Sequence, residues 1–151
     1  MKDPCDDIRD WIYTTLSGHI SYGGALVPVY SFPPENVSYP YILIGEQSAQ
    51  GEDGAKDKWM FDVTTMLHIY TQHKEHDASY VPVNTISSSV MERVRRRNRG
   101  DSYATGEETV TLANFELVKV NIGPFTTERY LTETGVILGK QISINTLVEE
   151  D

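Results

Sequence analysis

Residues of alternating character run from Trp59 to Tyr70. Trp59, Phe61, Val63, Thr65, Leu67 and Ile69 share one parity, while Met60, Asp62, Thr64, Met66, His68 and Tyr70 share the other. A period of two belongs to a β-strand, whose successive side chains point to opposite faces. The run is more than twice the usual strand length of about five to six residues, and such a strand in a small domain extends past its own core to meet something else. A second β-type run, Tyr39-Pro40-Tyr41-Ile42-Leu43-Ile44-Gly45, precedes it, and residues 47–57 between them read as a polar, glycine-bearing loop. The pair predicts a long hairpin that points to assembly more than to catalysis.

The remaining pattern supplies the elements around that hairpin. Asp3 suits a cap and Pro4 a first helical turn, and Ile8, Trp11, Ile12 and Leu16 repeat at helical spacing until Gly18. Over 17–38, Gly23-Gly24, Pro28 and Pro33-Pro34 disfavour regular structure, although 25–30 fits a short edge strand. Residues 72–79 form a polar loop. Val83, Ile86, Val90 and Val94 then place a helix over 80–98, with Pro82 tolerated in its first turn and Arg99-Gly100 ending it. Two further β-type runs cover 109–122 and 135–147, with Gly123-Pro124 breaking the first. Strands grouped by hairpins with helices able to cover one face predict an α+β fold: one mainly antiparallel sheet with a long hairpin, and two helices packed on one face. The whole chain, 1–151, is expected to be one domain.

Composition narrows the class. The apolar fraction of 39% and charged fraction of 23% are ordinary for a globular domain, and the apolar runs are too short to span a bilayer. The acidic start Met1-Lys2-Asp3-Pro4-Cys5-Asp6-Asp7 lacks the basic-then-apolar order of a secretory signal, so synthesis in the cytoplasm is expected. A single cysteine, Cys5, cannot form an internal disulfide. A formal charge of −9 argues against a general nucleic-acid-binding surface. Against that background Arg93, Arg95, Arg96, Arg97 and Arg99 hold five of the thirteen basic residues within seven positions.

These features together resemble the tail-completion proteins of tailed bacteriophages, a group that includes tail terminators. The resemblance is carried by the opening amphipathic helix over 8–16, by Pro28-Val29-Tyr30 and Pro33-Pro34, and by the run from Tyr39 to Gly45. The strand with Phe61-Asp62-Val63 and Ile69-Tyr70, the helix with Ile86 and Val90, and the closing paired strands complete it. It implies a non-enzymatic virion protein that forms a six-fold or twelve-fold homo-oligomeric ring at the neck or tail-tube end. Such a ring contacts neck, connector or tail-tube proteins and lets viral DNA pass without sequence-specific binding, and no catalytic, cofactor or metal residues are implied. The polar stretch 98–108 and the acidic Glu149-Glu150-Asp151 depart from the family pattern.

The residues offer little chemistry of their own. His68, His73, His76 and Asp77 lack metal-ligand spacing, and Ser87-Ser88-Ser89 lacks the strand-turn-helix glycines of a nucleophile elbow. A small cytoplasmic ligand-binding domain or enzyme is the alternative reading. The expected contact surface is Met60, Met66 and Tyr70, left on the strand face opposite the helices and exposed in a monomer, together with the arginine cluster. Two or three cations would complement a helix C-terminus, whereas five favour an acidic partner surface, first on protein and second on DNA. Residues 47–57 and 98–108 are expected to be mobile in the free subunit.

Overall fold

The computed structural model describes residues 2–33, 35–53, 59–98 and 112–150. Helix α1 spans Cys5–Leu16, with Pro4 at its cap position, one step before the first turn. The Asp3 carboxylate accepts the Cys5 amide at 2.8 Å, which satisfies one of the amides that a helix start leaves unpaired. Ser17 closes the helix by donating to Tyr13, and Gly18 then turns the chain at φ +77°. The stretch predicted as one edge strand over 25–30 divides. Ser21–Tyr22 (β1) pairs with Ala25–Leu26 (β2) across Gly23 and Gly24, whereas Val29–Tyr30 (β3) joins the main sheet parallel to the next strand.

Strands β4, Tyr41–Asp53, and β5, Trp59–His73, pair antiparallel from Tyr41 opposite Tyr70 to Asp53 opposite Trp59. The predicted loop is therefore wrong over 47–53, which is strand, while 54–58 lie outside the described residues. The physical reason is that a strand is held by its backbone ladder. Gln47, Ser48, Ala49, Gln50 and Gly51 carry no apolar alternation, yet β5 continues beside them and pairs their backbone. A register shift between Ile44 and Gln47 places a bulge in β4.

A 3₁₀ turn at Glu75–Asp77 leads into α2, Val81–Asn98. Strands β6, Phe115–Thr132, and β7, Gly135–Glu150, complete a five-stranded sheet in the order β3-β4-β5-β7-β6. Gly123-Pro124 does not break β6. The strand passes through both residues with a register shift between Ile122 and Phe125, because β6 lies at the sheet edge, where proline's missing amide is tolerated. The predicted loop 98–108 begins on the last residue of α2, and the rest of it falls outside the described residues.

One parity of the sheet and one stripe of each helix share a single core. Phe61, Val63, Leu67 and Ile69 of β5 and Leu138, Ile142, Ile144 and Val148 of β7 cluster with Ile8, Ile12 and Leu16 of α1 and with Val83, Ile86, Val90 and Val94 of α2. Each such side chain contributes about 1.5–3 kcal/mol on full burial. Polar members of this parity are satisfied locally: the hydroxyl of Thr146 donates to the Val63 carbonyl and that of Thr71 to the Leu138 carbonyl. Trp59 shares the parity but opens the strand and remains 48% exposed, so it is not the core residue its alternation predicts.

Candidate functional site

The opposite parity of β5 and β7 presents Met60, Asp62, Thr64, Met66, His68 and Tyr70 beside Glu149, Leu147, Asn145, Ser143, Gln141 and Gly139. Met60, Met66 and Tyr70 do lie on this face. They are half-buried by their neighbours rather than left open, which corrects the expectation of an exposed patch. Ser143 on β7 donates its hydroxyl to the Met66 sulfur at 3.3 Å. Tyr70 lies across Gly139, where a β-carbon would approach its ring to 3.1 Å, so glycine is what lets the phenol lie down on β7.

At the Tyr70 end the face is aromatic. Tyr70 and His68 stack with rings 2° from parallel and centroids 6.1 Å apart. Tyr41 packs on Tyr70 at 5.2 Å, on Tyr39 at 5.3 Å and on Tyr30 at 6.1 Å. Burial, reinforced by Tyr39 and Tyr70, pushes the Tyr41 phenol up to about 12. Burial also raises Tyr70, with smaller contributions from Tyr130, Glu128 and other neighbours. The Glu46 carboxylate is held below its usual range, first by a backbone amide and then by His68, whose Nε2 lies 3.5 Å away. These groups form a continuous surface of planar rings with polar tips, a composition enriched at protein interfaces.

Toward Met60 the same face turns polar. Thr64 donates to the Asn145 side chain at 2.8 Å. Those two, with Asp62, Lys119, Asn121 and Leu147, line an open depression of about 360 Å³. Among its described lining residues the charged groups are the Asp62 carboxylate and the Lys119 ammonium.

The arginine cluster resolves into separate roles. Half-buried Arg93 donates from Nε to the Thr15 carbonyl at 3.0 Å, tying the end of α1 to α2. Exposed Arg95 pairs with Glu92 on its own helix at 2.9 Å. Arg96 and Arg97 lie on the α2 backbone with side chains outside the described set, and Arg99 is outside the described residues. Arg93 is thus already committed within the fold.

Arg9 is a structural contributor that periodicity did not single out. Its guanidinium donates to the carbonyls of Ile44 and Gly45 and to the Gln47 side chain, and the Gln47 amide returns to the Cys5 carbonyl and the Thr65 hydroxyl. One side chain thereby fastens α1 to the bulge of β4. A basic residue on the polar side of an amphipathic helix gives no hint of this, because the carbonyls come from a bulge some 35 residues away.

The other polar candidates stay apart. His73 shares a contact with the Thr71 hydroxyl, exposed His76 pairs with Asp77 at 3.3 Å, and no group of three potential metal ligands converges among the described residues. Burial and the neighbouring Asp3 push the Cys5 thiol up to about 11, which leaves it a poor nucleophile at neutral pH. Ser88 donates back to the Asn84 carbonyl, as a helix-surface serine does. No helix among the described residues is long and apolar enough to cross a membrane.

No protein-family model matches the chain, and no curated protein matches it in sequence. Among solved structures, a chain from the virion of a native gene transfer agent particle is similar with a TM-score of 0.59 at 11% identity. The match covers 96% of this chain and 90% of that one. At that identity the likeness is one of fold.

Proposed function

We propose that this chain is a structural protein of a phage-like virion. It forms a homo-oligomeric ring at the neck or tail-tube end, as a tail terminator, tail-completion or head-tail connector protein, through which DNA passes. The reading is carried by the near-full-length fold likeness to a chain of the gene transfer agent virion. Support comes from a sheet whose two sides differ in kind. The helices cover one side, and the long β4–β5 hairpin offers the other, with Met60, Met66 and Tyr70, to neighbouring subunits. Arg95, Arg96, Arg97 and Arg99 meet an adjoining virion protein, because an acidic chain of net charge −9 offers passing DNA little to adhere to.

The test is the Met66→Glu/Tyr70→Glu double variant. Its helix-side core is intact, so it should remain folded by circular dichroism while native mass spectrometry shows monomer in place of rings. Rings formed by the double variant at wild-type concentration would remove the sheet face from the interface.

A further inference from the structure

The sheet has two open edges of opposite direction. Strand β3 covers β4 only at Ile42 and Leu43, so β4 from Gln47 to Gly51 has no outer neighbour among the described residues. On the far side β6 is the last strand among the described residues, and its second half, from Phe125 onward, is exposed on both faces: Phe125 at 51%, Tyr130 at 47% and Leu131 at 67%. Such edges template strand pairing unless they are short, charged or covered. Arg129 and Glu128 are charges in this half of β6, and Glu128 accepts the hydroxyl of Tyr130, two residues along the same strand, at 2.6 Å. On the other edge Ser48, Ala49 and Gly51 are small and exposed.

We infer that the occupant of each edge is a second copy of this chain. The outer half of β6 pairs antiparallel with the Gln47–Gly51 edge of β4 in the next subunit, so that one sheet continues from copy to copy. This rests on the proposed ring and adds an edge contact to the sheet-face contact proposed for it. Direction is the first support. β4 is antiparallel to β5, β5 to β7 and β7 to β6, so β4 and β6 run oppositely, and copies related by rotation about a ring axis present them antiparallel without inversion. Consumption of edges is the second. A head-to-tail contact uses both open edges, whereas a β6–β6 dimer leaves the β4 edge unpaired.

Side-chain size is the third support. Phe125 and Leu131 lie on the helix-side parity, as do Ala49 and Gly51, so a register can set one of the two large apolar groups, Phe125 or Leu131, over a small residue of the other edge with the faces continuous. Because side chains alternate strictly, only registers that match odd-numbered residues of β6 with Gln47, Ala49 and Gly51 keep both faces intact.

Disulfide mapping in a Cys5→Ser background tests this. Ala49→Cys combined in one chain with Phe125→Cys, Thr127→Cys or Arg129→Cys should give, for at least one pair, a ladder of cross-linked oligomers on mild oxidation. Thr126→Cys or Glu128→Cys with Ala49→Cys should not. Circular dichroism of each variant and native mass spectrometry of its reduced form establish folding and assembly. Rings that assemble with no odd-register cross-link would overturn the edge contact and leave the ring reading standing. Thr127→Cys alone cross-linking to itself would replace the contact with a β6–β6 dimer. Folded variants, and wild type, that stay monomeric would overturn both the contact and the ring.

Discussion

The two faces of the β5–β7 pair are built from different materials by the same alternation. On the helix side, Leu67, Ile69, Ile142 and Ile144 are essentially inaccessible and aliphatic. One residue away on each strand, Met66, His68, Tyr70, Ser143 and Asn145 are half-buried, hydrogen-bonded or stacked, and polar at their tips. The first face is fully paid for within the subunit. The second is ordered without being enclosed, which is the state expected of a surface that must be soluble before assembly and dry after it. The contrast shows that in a one-layer sheet parity settles which residues the helices bury.

Truncation should expose this difference most strongly. Leu67→Ala removes a fully buried side chain from the helix-side core and should cost about 2–5 kcal/mol. Met66→Ala, on the neighbouring residue but the other face, should cost clearly less in the monomer. Denaturant unfolding of both measures it, and equal losses would break the distinction between faces. Next comes the fastening of α1. Arg9→Ala leaves the bulge carbonyls of Ile44 and Gly45 without their charged donor and should cost about 1–3 kcal/mol, read in the same way. A loss within experimental error would mean that water replaces the guanidinium.

Alkaline pH separates the faces by chemistry. The folded state holds the Tyr41 phenol up to about 12, against an ordinary value of 10, so the neutral phenol is favoured in the native protein. That contribution is complete below pH 10 and is lost as pH rises toward 12, because the unfolded chain releases its proton first. Stability should fall across this window in wild type and fall less in Tyr41→Phe, and identical pH profiles would contradict the buried aromatic row. The smallest effect belongs to the exposed pair of Arg95 with Glu92. Arg95→Ser should change monomer stability by no more than about 0.5 kcal/mol, and a larger change would give that arginine a role within the fold.

How much of this was legible in the sequence follows the physics of each element. The parity of β5 and the stripes of α1 and α2 were plain, because apolar periodicity reports burial against a core directly. The strand character of 47–51 is hidden in the sequence, since these residues are held by a backbone ladder and, from Ser48 on, are exposed. The course of β6 through Gly123-Pro124 was hidden because an edge strand tolerates what an inner strand does not. Alternation alone puts Met60, Met66 and Tyr70 on the strand face opposite the helix-side core. The tyrosine row around them was missed, as the bulge after Ile44 prevents any count from the hairpin tip from bringing Tyr41 opposite Tyr70. The arginine cluster was visible as charge, but the destination of Arg93, a carbonyl 78 positions earlier, was not.

The decisive measurement is cryo-electron microscopy of phage-like particles purified from cells that express this chain. A closed ring of identical copies is expected at the junction of head and tail or at the tail-tube end, with Met66 and Tyr70 enclosed by neighbouring protein. Particles without the chain, or a ring in which Met66 and Tyr70 face solvent, would refute the proposed role.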